Sequence, residues 1–325
     1  DIAERRLPQD GRASIRIGDG EVDVRISVVP TANGERAVLR LLDKTAGVFA
    51  LEEIGLDAQN LKTLRHYISY PHGIVLVTGP TGSGKTTTLY GSLTEISTGE
   101  KNILTIEDPV EYQLDGISQV QVNAKKGLTF AAGLRSFLRQ DPDVMMVGEI
   151  RDLDTCEIAI RAAITGHLVF STVHTNDAPS TVTRLIDLGV EPYLVSSSLV
   201  LVIAQRLVRK LCNSCKEWRE PTTAEIATLR DLGLDPAELK DGKIAHSPGC
   251  DDCFQSGHQG RTAIYELLPM SEDLRSLVMR QAPASELKAQ AVKEGMRTLR
   301  MDGMSKVVAG QTSAEEIMRV TQLDV

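Results

Sequence analysis

The chain has 325 residues, 42% of them apolar and 25% charged, which is enough to bury a large core across about two to four domains and excludes a disordered or fibrous chain. Its net charge of -8 and its aromatic content of 4% supply no general attraction for nucleic acid and few surfaces on which bases stack. The first residues, DIAERRLPQDGR, are charged and form neither a signal peptide nor an anchor, so a cytosolic protein is expected.

From Ser14 to Leu42 the chain reads as short alternating segments, IRIG, VDVRISVV and RAVLRLL, separated by Gly-Asp-Gly and Asn-Gly turns. This predicts a small, partial N-terminal β-rich domain over residues 1–45, followed by a linker over 46–58. Helical and apolar segments then alternate with the spacing of βα units over residues 59–210, which predicts an α/β core with a parallel sheet. The expected strands are Gly73 to Thr78, Asn102 to Ile106, Val144 to Val147 and His167 to Val173. Helices are expected after Gly84, near Thr129 to Gln140 and from Leu153 to Thr165. The apolar run from Tyr193 to Ala204 is broken by Ser196, Ser197 and Ser198. It falls short of the roughly 20 residues that a membrane span requires and reads as a buried helix. A cysteine-bearing module occupies 211–255, and a helical C-terminal region occupies 256–325, closing on a Thr312-x-x-Glu315 capping box.

Within the core, Gly79-Pro80-Thr81-Gly82-Ser83-Gly84-Lys85-Thr86, continued by Thr87, fits the Walker A pattern in the context that pattern needs, after an apolar strand and at the start of a helix. Its glycines let backbone N–H groups close around the phosphates of ATP. Lys85 reaches the outer phosphates, and the Thr86 hydroxyl is placed to ligate Mg²⁺. Further on, Asp-Val-Met-Met-Val-Gly-Glu149 is an apolar strand that delivers a carboxylate at its C-terminal end, where α/β sheets hold their ligands. Glu149 is the expected catalytic carboxylate, orienting the attacking water. Gly148 stands where many such strands carry an aspartate, which leaves carboxylate ligation of Mg²⁺ by this strand open. The segments Ile106-Glu107-Asp108-Pro109-Val110-Glu111 and Gly166-His-Leu-Val-Phe-Ser-Thr-Val-His174 fit the same pocket, although taken alone the histidines of the second read more readily as satisfied strand-end residues.

Four of the five cysteines form two pairs, Cys212-x-x-Cys215 and Cys250-x-x-Cys253. Four thiolates at this spacing fit a closed tetrahedral structural Zn²⁺ site; a redox-active dithiol is the alternative. Cys156, on a helix with Ile160 and Ala163, reads as a packed core thiol.

The set GPTGSGKTTT, IEDPVE, LRQDPDVMMVGEIRD and TGHLVFSTVHTN resembles the Walker A, Asp box, Walker B and His box of the secretion ATPases, a family that also powers type IV pili. The resemblance covers essentially the whole chain, and details such as GERAVLRLLDK and the cysteine pairs look more like the type II secretion branch. It implies a RecA-like P-loop NTPase core in a homo-hexameric ring on the cytoplasmic face of a bacterial inner membrane. Glu107 and Glu149 would be the acidic pair, and His174 the phosphate sensor. Arg25, Arg40, Arg135 and Arg139 would complete the pocket; solvated charges or structural salt bridges are the plainer reading of each. The partners implied are an inner-membrane platform protein and a membrane-bound recruiting protein. The domain that meets the recruiter is expected to be missing, because the chain begins inside the small β-rich domain. The acidic balance argues against a nucleic-acid translocase on the same scaffold. Glu149 and the arginines argue against a nucleotide-binding scaffold without turnover.

Overall fold

The computed structural model describes residues 1–17, 20–43, 47 and 49–321. The chain separates into two compact units, Asp1–Val48 with Val110–Gln113, and Phe49–Pro109 with Leu114–Val325.

The first unit is an antiparallel meander of β1 (Gln9–Ile17), β2 (Gly20–Thr31) and β3 (Gly34–Asp43), with β2 in the middle. Successive side chains of a strand point to opposite faces. Val24, Ile26 and Val28 therefore share one face of β2, while Arg25 and Ser27 share the other; Val24 is buried. Thr31 pairs with Gly34 across a two-residue turn. The Gly-Asp-Gly turn expected ahead of β2 lies partly outside the described residues.

The second unit carries α1 (Ala58–Ile68), β4 (Gly73–Thr78), α2 (Lys85–Ile96), β5 (Ile103–Glu107), β6 (Ser118–Gln121), α3 (Phe130–Phe137), β7 (Val144–Val147), α4 (Leu153–Ile164), β8 (Leu168–Val173) and α5 (Ala178–Asp187). It continues through α6 (Pro192–Ser198), β9 (Leu199–Leu211), β10 (Glu217–Arg219), α7 (Thr223–Asp231), β11 (Ile244–His246) and β12 (His258–Pro269), and ends in α8 (Glu272–Met279), α9 (Ala284–Lys293), α10 (Leu299–Val308) and α11 (Ala314–Thr321). Seven strands form one sheet in the order β12-β9-β4-β8-β7-β5-β6, parallel except for β12 against β9. Every residue of β4, β5, β7 and β8 is buried. Strands covered on both faces carry such near-continuous apolar runs rather than an alternation. Several helices begin on a side-chain cap: Thr129, Asp152, Asp177, Ser271 and Thr298 each accept a backbone N–H three residues on.

Three sequence readings are corrected here. The run Tyr193–Ala204 is not one buried helix: α6 stops at Ser198, and Leu199 starts a long strand lying between β4 and β12. Apolar residues from Leu199 to Ala204 satisfy a two-sided buried strand as well as a buried helix, and burial alone does not separate the two. The sheet is mixed rather than purely parallel, because β12, read as part of a helical region, is its antiparallel edge. The final capping box is replaced by a single side-chain cap one residue further on. Ser313 Oγ accepts from Glu316 N, while the Thr312 hydroxyl is already donated to the Arg209 carbonyl at 2.8 Å.

The segment Phe49–Asp57, predicted to be linker, lies in the second unit and is pinned there. Tyr265 donates to the Ile54 carbonyl at 3.1 Å, Lys306 donates to the Gly55 carbonyl at 2.5 Å, and Arg297 pairs with Asp57. Leu51 is buried against Gly91 of α2, where a Cβ would come within 3.0 Å of it. Glu266 of β12 is buried between two helix N-termini, accepting from Ala178 N at the start of α5 and from Leu299 N at the start of α10. Burial pushes its carboxyl up to about 7 against those two stabilising N–H groups. Cys156 is the packed core thiol expected from sequence, 1% exposed, with burial raising it to about 12.

Candidate nucleotide and metal sites

The loop Gly79–Gly84 joins the C-terminal end of β4 to α2, and both its end glycines are required. Gly79 has a φ of +144°, and a Cβ there would lie 2.4 Å from the Gln205 carbonyl oxygen and 2.7 Å from Ser83 Oγ. Gly84, with φ at 89°, is the left-handed N-cap of α2. Lys85 Nζ donates to the Gly79 and Pro80 carbonyls at 2.7 and 3.1 Å, closing the loop on itself. Burial lowers the Lys85 pKa, opposed by the negative charge of Glu149. An ammonium held by loop carbonyls beside α2's positive end is a site for an anion.

Glu149 stands just past β7, its side chain 14% exposed, between Arg151 at 2.7 Å and His174 Nε2 at 3.5 Å. The polypeptide around it is fixed from both sides: Gly148 N donates to Ile106 O, and Ile150 N donates to Thr172 O. The loop bearing His174 is tied to the end of β4, since Thr175 N donates to Thr78 Oγ1 at 2.8 Å. Arg151 is a member of this cluster that the sequence reading did not single out.

The other predicted residues are placed differently. Glu107 is 3% exposed, and its carboxylate accepts from Tyr90 of α2, from Thr105 at 2.5 Å and from Gln119 at 3.2 Å. These donors hold it at the end of β5, whose Glu107 Cα lies 3.4 Å from where a Cβ on Gly148 would stand. Arg135 pairs with Asp154 of α4 at 2.5 Å, and Arg139 donates to the Arg135 carbonyl at 2.8 Å; both are exposed. Arg25 and Arg40 lie in the first unit, directly opposite one another in the β2–β3 register, and Arg12 lies opposite Arg25 in β1. Like charges directly opposite are unfavourable in a sheet, and Arg25 and Arg40 are such a pair.

Beside the phosphate loop lies a cavity of about 310 Å³ whose lining includes Phe49, Ile54, Thr87, Gln205, Arg261 and Tyr265. Its walls come from four separate stretches of chain, so no local motif announced it.

The four cysteines come together, all four Sγ atoms lying within 4.8 Å of one another. Cys212 to Cys250 is 3.9 Å and Cys250 to Cys253 is 3.8 Å. A tetrahedron with metal–sulfur bonds of about 2.3 Å has edges of about 3.8 Å, so the cluster is already spaced for one ion. Cys253 Sγ also accepts from Cys250 N at 3.2 Å, a contact that favours a thiolate.

The family described as Type II/IV secretion system protein matches residues 1–319. The chain belongs to that family. Among family relatives, the chain is 54% identical over 322 residues to the type II secretion system protein E of Pseudomonas aeruginosa, covering 99% of this chain and 63% of that protein. It is 51% identical over 325 residues to the type IV pilus assembly ATPase PilB of Myxococcus xanthus, covering 100% of this chain and 57% of that one. The chain therefore spans about three fifths of the length of these relatives. A crystal structure of the pilus retraction motor PilT with bound ADP superposes with a TM-score of 0.70 at 29% identity, covering 97% of this chain and 78% of that one. The Legionella pneumophila ATPase DotB, at 22% identity and a TM-score of 0.69, shares the fold. The α/β core is thus shared with these solved ATPases. Among the described residues, no helix is long and apolar enough to cross a membrane.

Proposed function

We propose that this chain is the motor portion of a type II secretion ATPase, hydrolysing ATP to drive an export machine at a bacterial inner membrane. The observation that carries the reading is the juxtaposition of a closed phosphate loop, Lys85 and Glu149, on a chain 54% identical to a type II secretion system protein E. Phosphoryl transfer needs positioning and charge stabilisation more than covalent chemistry. ATP phosphates would displace the Gly79 and Pro80 carbonyls from Lys85 and take up the N–H groups at the start of α2. Glu149 would orient the attacking water, with His174 and Arg151 holding its carboxylate and responding to the outer phosphate. Thr86 would hold Mg²⁺, which neutralises developing phosphate charge.

Glu107 serves in this reading as a positioning residue, joining α2 to the sheet through Tyr90, rather than as a second catalytic acid. Arg25 and Arg40, with Arg135 and Arg139, act on nucleotide when chains assemble into a homo-hexameric ring; guanidinium groups supplied this way are worth about 10³ to 10⁵ in rate. The four cysteines hold a structural Zn²⁺. The partners are a membrane platform protein and a recruiting protein. The 51% identity to PilB keeps a type IV pilus extension motor as the second reading, with the same chemistry and a different cargo.

The test is phosphate release measured against protein concentration, with and without the platform's cytoplasmic domain. Specific activity should rise with concentration and rise again with the platform domain, and Arg25→Ala and Arg40→Ala should abolish the first rise. Activity independent of concentration in all three proteins would refute the ring mechanism, and absence of any phosphate release would refute the motor.

A further inference from the structure

Gln205 lies on β9, one residue beyond the pairing of Ala204 with Thr78, and so stands alongside the phosphate loop where that loop leaves β4. Its side chain is 1% exposed and donates Nε2 to the Ser83 carbonyl at 2.7 Å. A Cβ on Gly84 would approach the same Nε2 to 3.1 Å, so the amide is packed tightly under the loop's last turn. The peptide linking Ser83 to Gly84 is planar and trans, which makes its C=O and N–H point in opposite directions. A carbonyl fixed on the Gln205 side therefore turns the Gly84 N–H the other way.

We propose that Gln205 is a positioning residue for phosphate binding: by holding the Ser83 carbonyl outward, it aims the Gly84 N–H into the loop where the nucleotide phosphates sit. The inference rests on the reading of Gly79–Thr86 as the phosphate loop. Without this donor, the buried carbonyl seeks another partner, the peptide can rotate, and a loop N–H is lost to the phosphates. Ser83 itself is buried with its hydroxyl unpartnered among the described residues, so Gln205 rather than the serine side chain restrains this turn.

The experiment uses the whole chain with MgADP and MgATP as probes. Gln205→Met keeps the volume and removes the donor, and its Kd for MgADP is expected to rise roughly tenfold, the scale of one buried carbonyl losing its partner. The loss should fall on KM rather than kcat, because the loop N–H binds ground state and transition state alike. Gln205→Glu can donate to Ser83 only while its carboxyl is protonated, so its affinity relative to the parent should improve as pH falls. A merely structural role would move the melting temperature without this pH profile. Parental MgADP affinity in Gln205→Met, or a pH-independent ratio for Gln205→Glu, overturns the proposal. If the Met variant does not fold, the Glu series decides alone. Lys85→Ala separates the two levels of the argument. If it loses nucleotide while Gln205→Met does not, this inference falls alone, and if it binds at parental affinity, the phosphate-loop reading falls as well.

Discussion

Gly79→Ala is the substitution whose cost follows most directly from the coordinates. The new methyl carbon would sit 2.4 Å from the Gln205 carbonyl oxygen and 2.7 Å from Ser83 Oγ. The first of these is backbone of a central strand and has little freedom to retreat. The φ of +144° adds backbone strain of order 1 to 3 kcal/mol for a residue with a Cβ, and overpacking adds about 1 to 3 kcal/mol more. The cheapest relief is for the loop to move away from β9, which abandons the geometry that receives phosphate. Gly82→Ala provides the control. Its φ is +79°, but nothing lies within 4 Å of the added carbon, so it carries strain without collision. Isothermal titration with MgADP should show Gly79→Ala weakened by at least about a hundredfold, from a cost of roughly 3 kcal/mol, and Gly82→Ala by about tenfold or less. Equal affinities for the two variants would refute the argument that β9 shapes the loop by contact.

Glu149→Gln is expected to bind MgATP near parental affinity and to hydrolyse it at least about a hundredfold more slowly, read in single-turnover phosphate release; parental turnover would remove Glu149 from the catalytic role. Purified protein should carry one Zn²⁺ per chain by elemental analysis, and Cys250→Ser should lose it and loosen hydrogen exchange around Cys212–Cys253; a metal-free protein that stays folded in chelator would exclude the structural ion. Glu266, raised to about 7 by burial from a usual value of 4.5, binds its proton more tightly folded than unfolded. Its contribution is fully present below about 4.5 and is lost as pH rises through about 7. Thermal melts of parent and Glu266→Gln should therefore converge or cross in the parent's disfavour between pH 5 and 8, by up to about 3 kcal/mol. A difference that does not vary with pH would mean that the carboxyl keeps an ordinary affinity for its proton.

What the sequence disclosed was the part of the site made from contiguous chain. Gly79–Thr86 and the strand ending at Glu149 are each a strand plus the loop it delivers, so order along the chain equals order in space. The paired cysteines were legible because each pair sits in one turn, although residues 216–249 between them fold into β10, α7 and β11 without a sequence signal for that. What remained hidden depends on register. Gln205 reads as one more residue of an apolar run until β9 is placed beside β4, and Arg261 meets the cavity only once β12 is laid antiparallel on β9. Phe49–Asp57 has no periodicity because it is held by side chains reaching to it from Tyr265, Arg297 and Lys306 rather than by its own pattern. Arg135, Arg139 and Glu107 were found as residues, yet their partners in the fold, Asp154, a helix carbonyl and Tyr90, come from elements no motif contains.

β9 enters the sheet beside the start of β4, passes the phosphate loop at Gln205 and ends at the first cysteine, with Leu211 its last residue and Cys212 directly after. From Gln205 to Cys212 the backbone advances about 3.3 Å per residue, roughly 23 Å in all, without a joint. One end touches Ser83; near the other, Arg209 is clamped to Glu316 and Cys212 N is bonded to Gly257 O. The phosphate loop and the four-cysteine cluster are thus fastened to one stretch of chain. Because successive side chains of a strand face opposite ways, a one-residue insertion between Gln205 and Cys212 would turn one of these two attachments to the other face of the sheet.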